Sequence, residues 1–401
     1  MKWQACIILA LIGVFVFLSI APPETDAIPA FARRYKMSCT TCHAPFPRLK
    51  DFGNEFAGNG FYIPEDDKER DYVTGGDPLL WLNKTFPIAA RVDLFGQYDS
   101  DQDFGTDLQT PWGVKLLSGG AVSKNIGYYF YFYLTERGEV AGLEDAYIHF
   151  NNIKGWELDI MVGQFQTSDP LMKRELRLTR EDYFAYVVRP GESKINLTYD
   201  RGVMVPFSIT KTSTDIVGMV VNGNGLPDAE ADRVYDENEF KNVGLRLNQG
   251  IVDIASIGGF VYHGRERSTL SGSAPEDEVK VDNEVTYLGA DGSVGFGARA
   301  ALTAQYLYRK DTNPFFLEEA SDVETNSLIA ELILSPDIDA SRYHLTLLYN
   351  LVDSDDKASN YETGTASLSY LLARNARLMG EYSFYFEENF NRVVLGFIGA
   401  F

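Results

Sequence analysis

Asn391-Arg392-Val393-Val394-Leu395-Gly396-Phe397-Ile398-Gly399-Ala400-Phe401 closes the chain, and its period of two decides what the rest must build. Successive side chains of a strand point to opposite sides, so Val393, Leu395, Phe397 and Phe401 share one face. Working back from this strand, the same pattern recurs as far as residue 85. Runs of about ten residues alternate apolar and polar, divided by Gly, Asn and Asp turns. Sixteen such runs are candidate strands: 86–98, 111–122, 126–136, 142–151, 155–165, 194–206, 213–222, 239–249, 252–264, 282–291, 297–309, 325–335, 342–352, 360–372, 376–388 and 391–401. An even number of alternating segments of this length is what a bacterial outer-membrane barrel uses. The expectation is a mainly β protein, an antiparallel outer-membrane β-barrel of about 16 strands over residues 85–401. The terminal aromatic Phe401 on the closing strand also resembles the signal read by the outer-membrane assembly machinery.

Composition agrees with that reading. A chain of 401 residues has room for one large domain or two ordinary ones. Tyr 23 and Phe 26 bring the aromatic share to 13%, while no long apolar run follows residue 27. Alternating lipid-facing and lumen-facing residues with aromatic girdles give this combination. A soluble β-sandwich is the alternative, and the aromatic load, the number of strands and the leader weigh against it. The formal net charge of -21 excludes a nucleic-acid partner. Acidic residues gather at Asp66-Asp67, 99–103, 228–239, 276–278 and 318–324, as solvated loops or as a field concentrating cations near a mouth.

At the other end, Lys2 precedes an uncharged apolar stretch over 5–20, then Pro22-Pro23 and a small-residue context ending at Ala27. Residues 1–27 read as a secretory signal peptide, too short for a retained membrane span. Export and barrel together put the protein in the outer membrane of a Gram-negative bacterium, in contact with its lipid.

The segment after the leader carries the chemistry. Cys39-Thr40-Thr41-Cys42-His43 has the C-x-x-C-H spacing in which two thiols bond covalently to haem and the adjacent imidazole becomes an axial ligand. Cys39 and Cys42 are the attachment residues and His43 the proximal ligand, for one covalently bound haem c. The third cysteine, Cys6, lies in the leader. A redox disulfide and half of a zinc site are the rival readings. The first needs a surrounding βαβ pattern and the second another ligand pair nearby, and the sequence near Cys39 offers neither. Residues 28–84 form a short helical haem segment and linker, a plug for the barrel. A basic helix spans 30–38, Pro45-Phe46-Pro47 turns the chain, and Leu49, Phe52 and Phe56 recur at helical spacing before the Asn59-Gly60 stop. Phe31, Leu49, Phe52 and Phe56 are expected to cover the haem, and Arg33 to meet its propionates.

The distal side stays open. Residues 44–160 contain no methionine and a single histidine, His149. The sixth position is therefore filled from the barrel, by Met37 just upstream of the motif, by an unusual ligand, or not at all. Period two turns Met161, His344 and Met379 toward the lumen, and His149 shares a face with Asp145 and Tyr147. Residues 167–193 are too long for a turn and carry dense mixed charge, so they fold inward as a constriction or lie outside. Folded inward, they bring Met172 toward the iron and Arg174, Arg177 and Arg180 toward the propionates. Asn222-Gly223-Asn224-Gly225 with Asp228 lacks the terminal acid of a calcium loop and reads as a turn. No nucleophile elbow, phosphate loop or zinc-protease motif occurs.

Ala27-Ile28-Pro29-Ala30-Phe31-Ala32-Arg33, with the C-x-x-C-H motif and Pro47-Arg48-Leu49, resembles the N-terminus of the outer-membrane monohaem cytochrome-porin fusion family, which includes iron oxidases. The family outline of leader, single c-type haem and porin-like barrel covers the whole chain. The resemblance implies electron transfer across the outer membrane, with extracellular Fe(II) oxidised and electrons passed to a periplasmic carrier such as a soluble cytochrome. The chain departs from that family at Arg34-Tyr35, where a Gln-Thr pair is more usual. A conduit serving another extracellular redox partner, and a solute porin with a structural haem plug, stay open beside the iron oxidase.

Overall fold

The computed structural model describes residues 30–401 apart from 64–71, 74–75, 78, 80–81, 84–85, 102–104, 230–232, 237, 253, 272–278 and 298. The expected signal peptide, Cys6 and the first three residues of the family-like stretch, 27–29, lie outside the described residues.

Three short helices open the described chain: α1 (Ala30–Tyr35), α2 (Cys39–Cys42) and α3 (Asp51–Gly58). A small antiparallel pair follows, β1 (Tyr72–Val73) with β2 (Leu82–Asn83). The rest is barrel: β3 (Ile88–Asp99), β4 (Thr106–Ser123), β5 (Ile126–Glu136), β6 (Gly142–Phe150), β7 (Ile160–Gln166), β8 (Tyr199–Ile209), β9 (Thr214–Val221), β10 (Asn242–Val252), β11 (Ala255–Thr269), β12 (Lys280–Phe296), β13 (Ala300–Asp311), β14 (Val323–Leu334), β15 (Tyr343–Ser354), β16 (Tyr361–Ala373), β17 (Ala376–Tyr385) and β18 (Phe390–Ala400). From β3 to β18 each strand pairs antiparallel with the next, and β18 returns to β3 with Leu395 opposite Gly96 and Arg392 opposite Asp99. Closure leaves no strand edge unpaired, which is what a sheet needs where lipid offers no hydrogen-bonding partner.

All sixteen expected barrel strands are present, with three starts displaced by five residues; β4 begins earlier, at Thr106 instead of residue 111. β7 begins at Ile160 instead of residue 155, because Asn152 and Lys154 take positive φ (49° and 55°) and turn the chain first. β8 begins at Tyr199 instead of residue 194, because the preceding residues belong to the long connection.

The inward and outward faces follow the alternation. On β16, Thr363, Thr365, Ser367 and Ser369 are buried in the lumen while Leu368 between them is 53% exposed. On β18, Val394 and Ile398 point in, and Leu395 is 68% exposed on the outer face. Exposed leucines at 245, 288, 302 and 347 extend this apolar belt around the wall. A polar interior inside an apolar exterior inverts the arrangement of a soluble protein and suits a wall standing in lipid.

Residues 167–198 fold into the lumen. Their Tyr183, Ala185, Tyr186, Ile195 and Leu197 join the inward side chains Met204, Met219, Phe260, Tyr262, Tyr287, Leu307, Ile329 and Leu348 in one buried apolar cluster. Arg309, almost fully buried, pins the connection there. It pairs with Asp311 (2.6 and 2.8 Å) and donates to the carbonyls of Val188 (3.1 Å) and Ile195 (2.9 Å), so its charge and the loop backbone satisfy one another. The lumen is thereby crossed by a packed septum.

Residues 30–61 occupy the mouth at the end of the short connections. Asn59 accepts from Asn151 and Asn152 in the β6–β7 turn, and Lys50 pairs with Asp339 in the β14–β15 turn. Deeper in, Arg48 Nη1 donates to Glu331 Oε2 at 2.6 Å while Tyr183 Oη of the septum donates to Glu331 Oε1 at 2.8 Å. Plug and septum are tied to one wall carboxylate.

Candidate functional site

The Cys39-to-His43 stretch builds its geometry from one helical turn. Ser38 caps α2 by accepting from the Thr40 N–H, and the His43 N–H donates to the Cys39 carbonyl at 2.8 Å. Residues three apart in such a turn lie on one face, so both thiols point the same way. The chain then reverses through Pro45 and Pro47, and the Lys50 N–H closes back on the Cys42 carbonyl at 2.8 Å. This leaves α3 packed on the motif at Gly53, where even an added Cβ would meet the Cys42 carbonyl.

His43 is oriented by the same reversal. Its Nδ1 lies 2.7 Å from the Pro47 carbonyl. Only an N–H satisfies a carbonyl, so Nδ1 carries the proton and Nε2 keeps its lone pair, the arrangement that an axial imidazole requires. Burial pushes the imidazole below its usual value, with the Pro47 and Arg48 hydrogen bonds opposing, so the ring is neutral. Burial likewise pushes both free thiols up, Cys39 against the pull of its backbone hydrogen bond and of Arg374. Among the described residues no group of three or more His, Cys, Asp or Glu side chains is placed to hold a metal ion.

Cys39, Cys42 and His43 open onto one cavity of about 220 Å³. Phe31, Met37, Phe46, Leu49 and Phe56 line it from the plug; Ala89, Arg91, Lys115, Leu117, Tyr129 and Tyr131 from strands β3 to β5; Glu175 and Leu176 from the septum. The plug side is apolar and tightly built. Phe31 stacks on Phe61 at 4.9 Å and meets Phe56 edge-on at 5.2 Å, and Phe61 stacks on Tyr129 of the wall at 5.4 Å. The opposite rim is charged. Arg91 donates to Asp93 at 2.7 Å, and Lys115 Nζ lies 3.5 Å from Asp93, 3.6 Å from Glu175 and 4.2 Å over the Tyr133 ring.

The residues singled out from sequence divide into two groups. Phe31, Leu49 and Phe56 line the cavity. Phe52, 39% exposed, lies outside it and stacks on Phe56 at 6.4 Å; Arg33 also lies outside, donating to the Ile88 carbonyl at 2.5 Å. Arg174 and Arg177 do not reach the cavity, because Asp182 holds both inside the septum. Arg180 sits over the Trp112 ring at 4.4 Å. The cations at the cavity are instead Arg91 and Lys115.

The candidate distal residues are dispersed. Met161, Met379, His149 and His344 do turn inward, but none lines this cavity. Met161 packs against the apolar cluster, and Met379 against Phe95, Val394 and Ile398. His149 Nε2 meets Asp159 at 3.1 Å. His344 takes Ser335 at Nδ1 (2.9 Å) and turns Nε2, buried and unpartnered, into a narrow cleft behind Cys39 and His43. Met172 lines a separate polar cavity of about 410 Å³ between plug, septum and strands β9 to β13.

Arg91, Lys115, Tyr129, Tyr131 and Glu175 escaped the sequence reading. On strands β3 to β5 the pairs Ala89 and Arg91, Lys115 and Leu117, and Tyr129 and Tyr131 keep the period of two, so alternation marks them only as lumen residues, and the plug docked at this height selects them. The usable signal was the charge itself, Arg91 and Lys115 within otherwise apolar runs.

No family model matches the chain, and no curated protein matches it. Solved structures do. A loop-deletion form of OmpT, an outer membrane protein of Vibrio cholerae, aligns with a TM-score of 0.56 at 11% identity, over 79% of this chain and 99% of that one. An anion-selective porin from Comamonas acidovorans gives 0.56 at 12% over 79% and 99%, and the outer membrane channel DcaP of Acinetobacter baumannii 0.54 at 15% over 79% and 97%. At such identities the likeness concerns fold alone: a closed sixteen-stranded antiparallel barrel of the kind built by outer-membrane porins and channels, with a cysteine-bearing segment in its mouth.

Proposed function

We propose that this protein is an outer-membrane electron conduit. In this reading one haem c is bound covalently at Cys39 and Cys42 with His43 as axial ligand. Electrons from extracellular Fe(II), or from another extracellular donor, pass to a periplasmic carrier. One observation carries the proposal: two thiols one turn apart, and an imidazole whose second nitrogen is tied to the Pro47 carbonyl, open onto a single apolar cavity rimmed by Arg91 and Lys115.

Each demand of such a group has a residue to meet it. The ring needs two thiols on one face, which α2 presents. The iron needs a neutral imidazole held in one tautomer, which Pro47 enforces. Propionates need cations, and Arg91 and Lys115 stand at the rim, partly engaged by Asp93 and Glu175. The macrocycle needs apolar walls, supplied by Phe31, Phe46, Leu49 and Phe56. When bound, haem supplies one-electron transfer without a general acid or base. The chain tethers it, excludes water from one side and sets its electrostatic surroundings through the four charged groups at the rim. The septum favours a conduit over a solute porin, since Tyr183, Tyr186, Phe260 and Tyr287 pack together inside the lumen and give electrons a packed medium.

The test is covalent haem staining of the denatured full-length protein, then anaerobic mixing of the oxidised protein with Fe(II). Stained haem that Fe(II) reduces rapidly supports the iron oxidase. Haem that stays oxidised transfers the proposal to another donor, and the absence of covalent haem ends it.

A further inference from the structure

Resting on that reading, the structure leaves the sixth coordination position to be filled, and we infer that Met37 fills it. The chain has seven methionines and four histidines. Apart from Met1, outside the described residues, each has a definite place. Met161, Met204 and Met219 lie with the apolar cluster of the septum, Met172 lines the polar cavity, and Met379 packs under β18. His149 is engaged by Asp159, His263 lies exposed on the outer face of β11 against Thr286, and His344 occupies the cleft behind the motif. Met37 alone lines the cavity with Cys39, Cys42 and His43.

Its position is built by the chain. Lys36 takes a positive φ of 52°, and the Met37 N–H donates to the Ala32 carbonyl at 3.1 Å. This is the six-to-one bond that ends a helix through a left-handed residue and folds the next side chain back over it. Ser38 then starts α2 at once, so Met37 is held between two helix termini without a flexible linker. Its thioether is a soft, neutral donor of the kind that haem iron accepts, and it raises the potential relative to nitrogen ligands. The competing donors in the cavity are poorer. Lys115 Nζ already sits between the carboxylates of Asp93 (3.5 Å) and Glu175 (3.6 Å), which hold it at the rim. Tyr129 and Tyr131 offer only hard phenol oxygens from the wall.

The experiment uses the full-length, haem-loaded protein in detergent. The oxidised form is scanned for the weak far-red charge-transfer band that a thioether-iron bond gives, in the native chain and in Met37→Ala, Met37→His, Met161→Leu and Met379→Leu. The expected result is a band in the native protein, kept in the Met161 and Met379 variants and lost in both Met37 variants. Ferrous Met37→Ala should bind carbon monoxide at once where the native protein resists it, and Met37→His should have a lower midpoint potential. Met37→His keeps a ligand at the position, so its potential reads the site even where Met37→Ala loads poorly. A band that survives Met37→Ala overturns the inference, as does a native spectrum without the band or with five-coordinate iron. Covalent haem in either of those cases leaves the conduit reading intact, whereas a chain without covalent haem removes the site and the ligand together.

Discussion

Adding a single methyl group at Gly53 tests whether the cavity depends on the close approach of α3 to the Cys-Thr-Thr-Cys turn. A Cβ built there lies 2.4 Å from the Cys42 carbonyl oxygen and 3.0 Å from Leu49 Cδ2. An ordinary carbon-to-carbonyl contact is about 3.3 Å, so α3 must retreat by roughly 1 Å. Both sides of the clash include backbone, and neither can swing aside. The retreat also stretches the 2.8 Å bond from the Lys50 N–H to the same carbonyl, worth about 0.5–1.5 kcal/mol. Overpacking a built site costs about 1–3 kcal/mol, against a helix-propensity gain of at most about 1 kcal/mol. The expected net loss is about 1–3 kcal/mol, a shift of roughly 5- to 150-fold in the local equilibrium. Gly58 supplies the control: it ends the same helix, and nothing lies within 4 Å of its added Cβ. The assay is the covalent-haem content of the purified barrel and the temperature at which its visible spectrum collapses. Gly53→Ala should lower both, and Gly58→Ala should leave them equal or higher. Equal behaviour of the two variants would refute the argued contact.

Three further outcomes are expected. Full-length protein in planar bilayers should conduct little, and replacing 170–193 by a short Gly-Ser linker should open it, because Tyr183 and Tyr186 leave the lumen; native conductance like that of an open porin would contradict the septum. Glu331→Ala leaves Arg48 and Tyr183 without their carboxylate. Breaking a buried pair costs about 3–5 kcal/mol, and since the Arg48 side chain is 32% exposed a loss of about 2 kcal/mol is expected, read as release of the plug to protease at lower denaturant. Burial raises the Asp182 carboxyl, but Arg177 and Arg174 outweigh it and hold the group well below the usual range. A depressed carboxylate stabilises the docked loop fully above its unfolded value of about 4, and that contribution is lost as pH falls through the folded value. The contribution of Asp182 should therefore appear as faster proteolysis of residues 167–198 in acid below about pH 4, and that acid limb should be absent in Asp182→Asn.

The facing of individual side chains illustrates how far sequence carried. Met379, His344 and His149 were placed inward by counting in twos, and the barrel places them there, because strand alternation is local and needs no partner. Arg91 and Lys115 were not identified as the cavity cations, because alternation marks them only as lumen residues and the docked plug decides which lumen residues meet Cys39, Cys42 and His43. The C-x-x-C-H stretch was legible at once. The bond from His43 to the Pro47 carbonyl was not, since it comes from a chain reversal set by Pro45 and Pro47 together with the return of Lys50.

The 167–198 connection separates the two kinds of information most clearly. Its length and mixed charge marked it as unusual, yet an inward and an outward course were equally compatible with the sequence. What selects the inward one is nonlocal: Arg309 on β13 supplies donors to its carbonyls, Glu266 and Glu381 accept its N–H groups, and inward apolar side chains from eight strands cover its tyrosines. By itself the sequence determined the barrel, its strand count and the cysteine-histidine motif, because periodicity and covalent spacing are properties of neighbouring residues. Closure alone decided which groups meet inside the lumen, because those contacts join residues distant along the chain.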